Sequence, residues 1–146
     1  MAATLSVVVP VYGTKRDLPA CLESLRTQSL RDAEFLLVDD ASPDGAGAVL
    51  AEYARRDSRF RVLTHSQNRG LFAARMTGAD AATGKYLTFL DSDDWWEPEK
   101  LQKQIAFMRE NCCHISCTGY HRVDYTGESI LSTITPPSCM SCLLYT

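Results

Sequence analysis

The chain has 146 residues, enough for one domain with a sizeable core. Its 45% hydrophobic and 23% charged content is that of a soluble globular protein. A net charge of −3 and a pI of about 5.6 argue against a nucleic-acid-binding surface, which needs a basic face. No stretch approaches the ~20 apolar residues of a membrane span. No basic segment precedes the apolar run in MAATLSVVVPVYG, so a signal peptide is not expected. A cytoplasmic location, or attachment to a membrane through parts outside this sequence, is the natural reading. The cysteines Cys21, Cys112, Cys113, Cys117, Cys139 and Cys142 are then expected to be thiols.

The run LSVVVPV, residues 5–11, is apolar nearly throughout, which suits a strand covered on both faces. Tyr12-Gly13-Thr14 breaks it, and a helix is expected over 18–28 with Leu18, Leu22 and Leu25 on one face and Pro19 in the first turn. A second strand, EFLLV, covers 34–38 and ends in Asp39-Asp40. Turn residues follow, with Ser42 and Pro43 reading as N-cap and first helical position. Ala46, Val49, Leu50, Tyr53 and Ala54 mark the next helix, with Arg55-Arg56 at its basic end. A third strand spans 60–64, and HSQNRG forms a loop. A helix of small residues covers 71–82 and is able to lie close to a sheet. The fourth strand, 85–90, runs straight into Asp91-Ser92-Asp93-Asp94 and two tryptophans. Pro98 opens another helix with Leu101, Ile105 and Met108 inward. An alternating segment, 114–120, reads as a strand, and 122–130 reads as a second strand or a hairpin turning at Gly127. From Thr133 the sequence is weakly patterned.

The order β-α-β-α-β-α-β-α predicts an α/β fold: a doubly wound, mostly parallel sheet with helices on both faces. Ligands then bind beyond the carboxyl ends of the strands. Those ends carry Pro10 to Tyr12, Asp39-Asp40, the 65–70 loop and the 91–94 cluster. Asp91-Ser92-Asp93-Asp94 reads either as a site for a hard divalent cation or as an acidic cap on the helix at Pro98. Asp39-Asp40 can accept from a base or ribose, or can build an Asx turn. A Gly-x-Gly-x-x-Gly turn is missing after the first strand, which removes the dinucleotide-binding fingerprint. Tyr12 is a stacking platform or a core tyrosine, and Arg69 and Arg75 serve a diphosphate or solvent. Trp95 and Trp96 are packing or a wall of the site. Cys113, Ile115 and Cys117 share one face at period two and read as core packing. The cysteine spacing fits structural zinc poorly.

Taken together, SVVVPVYG, FLLVDDASPDG and NRGLFAARMTGADAATGKYLTFLDSDD resemble the nucleotide-binding half of inverting family 2 glycosyltransferases with the GT-A, Rossmann-like fold. The match runs from Leu5 to Met108. It implies that Pro10, Tyr12, Asp39, Asp40, Arg69, Arg75, Asp91 and Ser92 bind the donor. Tyr12 would flank the base, Asp40 would bind it, commonly uracil, and Asp39 would support the loop. Asp91 and Asp93 form the family's Asp-x-Asp, with Asp93 the first metal ligand and Asp91 at the ribose or the metal shell. Met76 stands where the family's Ala-Arg-Asn segment has its asparagine. The implied cofactor is Mn²⁺ or Mg²⁺. The implied partners are a nucleotide-diphosphate sugar, commonly a UDP-sugar, and a glycan or lipid-linked acceptor, as in polysaccharide biosynthesis. Residues 1–111 would form the donor core and 112–146 would begin the acceptor side. The family's general base comes well downstream of Asp-x-Asp. The expectation is a truncated transferase with its base beyond Thr146, self-associating through exposed apolar surface. The alternative is a nucleotide-binding module that transfers nothing.

Overall fold

The structure, a computed structural model, describes residues 3–124 and 126–135. The chain divides into two compact units, Met1–Lys100 and Leu101–Thr146.

The first unit runs β1 (Leu5–Val11), α1 (Leu18–Arg26), β2 (Ala33–Asp39), α2 (Ala46–Arg56), β3 (Phe60–Thr64), α3 (Leu71–Ala81) and β4 (Tyr86–Phe89). The strands form one four-stranded sheet in the order β3-β2-β1-β4, every pair parallel. This is the doubly wound arrangement that the sequence predicts. β1 is central, and all its residues are buried, which is why it reads as an uninterrupted apolar run. Register places Val8 beside Leu36 of β2 and Phe89 of β4. Val8, Leu36 and Val38 pack with Ala74 of α3 on one face. On the other face Phe35 meets Phe60 at 4.7 Å between ring centroids, and Phe60 meets Tyr53 of α2 at 5.9 Å. There α1 lies beside α2 and buries Leu18, Leu22 and Leu25 completely. Small residues let α3 sit close to the sheet. A Cβ added to Gly78 would lie 2.2 Å from a Val8 methyl.

The amino ends of the strands are tied by one carboxylate. Glu34 accepts from Ser6 Oγ at 2.6 Å, from the backbone and hydroxyl of Thr83 at 2.6 and 2.8 Å, and from Arg61 at 3.2 Å. Burial pushes this carboxyl up, but the four donors outweigh it and hold it at about 2.

Some expected boundaries move. Ser42 and Pro43 do not open α2. Gly45, at φ 81°, breaks the helical path, and α2 starts at Ala46, whose amide donates to Asp44 Oδ1 at 3.0 Å. α1 stops at Arg26 rather than at Gln28, whose side chain turns inward and donates to the carbonyls of Ser24 and Glu97.

In the second unit α4 (Lys100–Glu110, its first residue belonging to the first unit) buries Leu101, Ile105 and Met108. Its end is a Schellman cap. The amide of Cys113 donates to Met108 O at 2.9 Å, and that of Cys112 to Arg109 O at 3.4 Å. Cys112 therefore takes φ 52°, a left-handed position that favours glycine. The strand expected over 114–120 is absent. Ile115 and Cys117 are exposed and Cys113 is half-buried, so these alternating residues have no core face. Alternation specifies a strand only where a neighbouring strand completes its hydrogen bonds. That occurs further on, where β5 (Tyr120–Val123) pairs antiparallel with β6 (Ile130–Ile134). The hairpin turns through Gly127 at φ 77°, as expected. Asp124 builds the turn, its Oδ1 accepting from Thr126 N, Thr126 Oγ1 and Glu128 N. Among the described residues no helix is long and apolar enough to cross a membrane.

Three expectations follow. Gly78→Ala should destabilise the protein by about 1–3 kcal/mol in urea unfolding, because the methyl has no room against Val8. Glu34→Gln should cost about 1–3 kcal/mol near neutral pH. Because the folded-state value of Glu34 is depressed, its contribution is full above the unfolded value of about 4.3 and fades as pH falls towards about 2. The wild-type advantage over Glu34→Gln should shrink across that window. Cys112→Gly should raise stability by about 0.5–1 kcal/mol, read as a higher Tm.

Candidate functional site

Strand order reverses between β1 and β4, which makes their carboxyl ends the switch point of the sheet. The β1–β4 ladder stops there. Its last bond runs from Leu90 N to Val8 O at 3.0 Å. By strand alternation the next group of β1 facing β4 belongs to Pro10, which has no N–H to donate. β1 continues along β2 to Val11 while β4 departs. Pro10 itself is buried at this fork.

The two chains leaving the fork carry the polar residues. Tyr12 follows β1 and is 51% exposed, so the core alternative for it does not hold. Beyond β4, Asp94 N closes a turn on Asp91 O at 3.1 Å. Ser92 is buried in that turn and shares a 2.7 Å hydrogen bond with Thr14 Oγ1, which ties the Tyr12 loop to the acidic loop. Cys21 of α1 lies beneath, its Sγ 3.8 Å from Asp91 O. Burial, then the charges of Asp94, Asp93 and Asp91, push this thiol up to about 12. It stays protonated and unreactive.

The acidic side chains differ in their partners. Asp91 Oδ1 accepts from Arg75 Nη2 at 2.7 Å, and the guanidinium carbon lies 5.8 Å from the Phe89 ring centroid. Asp93 is exposed and makes no hydrogen bond or ion pair among the described residues. Partial burial first, then Asp93 and Asp91, push the Asp94 carboxyl above its ordinary value. A divalent cation would relieve that repulsion. Among the described residues, though, no three His, Cys, Asp or Glu side chains gather closely enough to hold one. Two hard carboxylate oxygens, from Asp93 and Asp91, fit a cation that brings its other ligands with it. Trp95 is exposed. Trp96 is half-buried beneath Lys100, whose Nζ lies 3.7 Å from the ring centroid.

Asp39 and Asp40 are both buried and both engaged. Asp39 Oδ1 accepts from Ser42 N at 2.9 Å, and its Oδ2 lies 2.8 Å from where a Cβ on Gly47 would be, against the first turn of α2. That position suits a carboxylate near a helix N-terminus. Asp40 accepts from His65 Nδ1 at 2.6 Å and from the amides of Arg69 and Gly70, each at 2.8 Å. Burial pushes Asp40 up, and these three donors bring it below the ordinary carboxylate value. The Arg69 side chain is exposed. His65, Thr77 and Thr14 escaped the sequence reading. A histidine in a polar loop gives no sign that it will be buried against an aspartate 25 residues earlier. Cys112 and Cys117 are exposed, and Cys139 and Cys142 lie outside the described residues.

A sequence profile described as Glycosyl transferase family 2 matches residues 6–137. The chain is 36% identical over 130 residues to EpsH of Bacillus subtilis (strain 168), by name a glycosyltransferase, covering 89% of this chain and 38% of EpsH. It is 35% identical over 137 residues to TuaG of the same organism, whose name places it in teichuronic acid biosynthesis, covering 94% of this chain and 54% of TuaG. The chain thus spans about half or less of these relatives. Among solved structures, S. aureus TarS in complex with UDP-GlcNAc superposes with a TM-score of 0.69 at 29% identity, over 75% of this chain and 32% of that one. The mannosyltransferase PcManGT from Pyrobaculum calidifontis, in complex with GDP-Man and Mn²⁺, superposes at 0.68 and 22% identity over 74% and 33% of the two chains, a likeness of fold. The chain belongs to glycosyl transferase family 2.

Proposed function

We propose that this chain holds the donor in the transfer of a sugar from a nucleotide diphosphate sugar, a UDP-sugar, to an acceptor hydroxyl with inversion. The observation that carries this reading is the fork at Pro10. It sets an exposed tyrosine and an under-neutralised acidic turn on either side of the sheet's switch point. TarS, which has been crystallised with UDP and with UDP-GlcNAc, supports the choice of nucleotide. TuaG, by its name, supports a polysaccharide product.

In this reading the base stacks on Tyr12 with an edge towards Asp40, while Asp39 holds the loop that opens α2. Arg75 and Arg69 offer positive charge to the diphosphate, with Arg75 also orienting Asp91. Asp93, with Asp91, would hold Mn²⁺ or Mg²⁺, which when bound neutralises charge on the leaving diphosphate. The acceptor oxygen attacks the anomeric carbon from the face opposite the diphosphate. The anomeric C–O bond breaks with its electron pair leaving on the diphosphate, and the hydroxyl proton passes to a carboxylate. We assign that carboxylate to none of the described residues. Asp124, at the turn of the β5–β6 hairpin, is committed to its own turn.

Calorimetry on the 146-residue chain tests the donor site. UDP-GlcNAc should bind in the presence of Mn²⁺ and at least about tenfold more weakly in EDTA. Asp93→Ala should remove most of that difference, a loss of about 1.4 kcal/mol or more. Absence of binding with Mn²⁺, or unchanged metal dependence in Asp93→Ala, overturns the proposal.

A further inference from the structure

We propose that His65 is a positioning residue for nucleobase recognition, fixing the Asp40 carboxylate so that a single acceptor position, on Oδ2, stays open to the donor's base. This rests on the reading above that the base is bound beside Tyr12 and Asp40.

The bond count carries it. A carboxylate oxygen offers about two acceptor positions. Both on Asp40 Oδ1 are filled, one by His65 Nδ1 at 2.6 Å and one by Arg69 N at 2.8 Å. On Oδ2 only Gly70 N is bound, at 2.8 Å. An ionised carboxylate only accepts, so Nδ1 carries the ring proton of this bond. In the neutral ring Nε2 then accepts from Thr77 Oγ1, at 2.9 Å on α3. The His65 side chain is 5% exposed, and the residue's backbone amide is fixed to Asp39 O at 2.9 Å. It is held from both sides and cannot follow the carboxylate. Asp40 N donates to Val11 O at 2.9 Å, which starts this carboxylate one residue from the exposed Tyr12. A buried carboxylate with three N–H donors is a poor cation ligand and a good partner for one more N–H, such as the imide N–H of uracil. Without the imidazole, Oδ1 gains an open position that competes with Oδ2 for the base, and only the two loop amides of Arg69 and Gly70 hold the carboxylate. Base recognition would weaken while the diphosphate and cation contacts at Asp91 and Asp93 stay as they are.

The test uses uridine, which lacks phosphates, beside UDP with Mn²⁺. His65→Leu should weaken both by the same factor, about tenfold, the worth of one charge-assisted hydrogen bond. Its Mn²⁺ dependence for UDP should match wild type. His65→Asn, whose amide nitrogen replaces Nδ1, should recover affinity to within about threefold of wild type. Asp93→Ala should weaken UDP and leave uridine unchanged. Should His65→Leu fail to fold, Thr77→Val carries the test, with an expected loss of about threefold for both ligands. Wild-type binding with a folded His65→Leu, or with Thr77→Val in its place, that leaves uridine unchanged overturns this proposal alone. A wild-type chain that binds neither ligand overturns the nucleotide reading and this proposal with it.

Discussion

The end of the β1–β4 ladder at Val8 is the constraint on which the site depends. A parallel sheet holds its strands together bond by bond, and two strands diverge where a bond cannot be made. Pro10 removes the donor that would extend the ladder, while the alternate groups of β1 keep bonding to β2 up to Val11. The strand is thus anchored on one side and released on the other. The release falls where the sheet's winding reverses, so no crossover helix closes over it. Tyr12 and Asp91 leave the sheet from the two sides of that fork.

The aspartates around the fork show how environment divides one residue type into two roles. Asp40 is 2% exposed, yet its carboxyl lies below the ordinary value, because three N–H donors outweigh burial. Asp94 is the more exposed, yet its carboxyl lies above it, because two like charges add to partial burial. Asp40 is stabilised from within the protein. Among the described residues, the charge of the 91–94 turn is only partly answered, through the pair between Arg75 and Asp91. The two environments set different fields: a neutralised carboxylate has at most a hydrogen bond left to accept, whereas an under-neutralised turn favours positive charge.

Much of this was legible in the sequence, for a physical reason. A buried parallel strand must be apolar on both sides, so LSVVVPV and EFLLV announce themselves without reference to partners. The polar residues that end them mark the carboxyl edge equally directly. What failed depended on contacts distant in sequence. Ser42 is a good N-cap in isolation, but its amide goes to Asp39 Oδ1 and Gly45 sets the true start of α2. Cys113, Ile115 and Cys117 alternate, but no strand forms over them. His65 reads only as the first residue of the HSQNRG loop because its partners, Asp40 and Thr77, lie on β2's end and on α3.

The acidic turn combines a fixed backbone with carboxylates of which, among the described residues, Asp91 alone is paired, and a helix cap is built differently. A cap uses its carboxylates on the amides of the helix that it opens. Here α4 begins at Lys100, well beyond Asp94. The turn's order comes instead from below and beside it: Ser92 to Thr14, Cys21 to Asp91 O, and the closing Asp94–Asp91 backbone bond. Rigidity supplied largely by groups other than the carboxylates leaves Asp93 and Asp94 placed, with Asp91 paired to Arg75. Holding like charges together in this way costs folding free energy that a cap would not require. Such a cost persists where a ligand of opposite charge recovers it on binding.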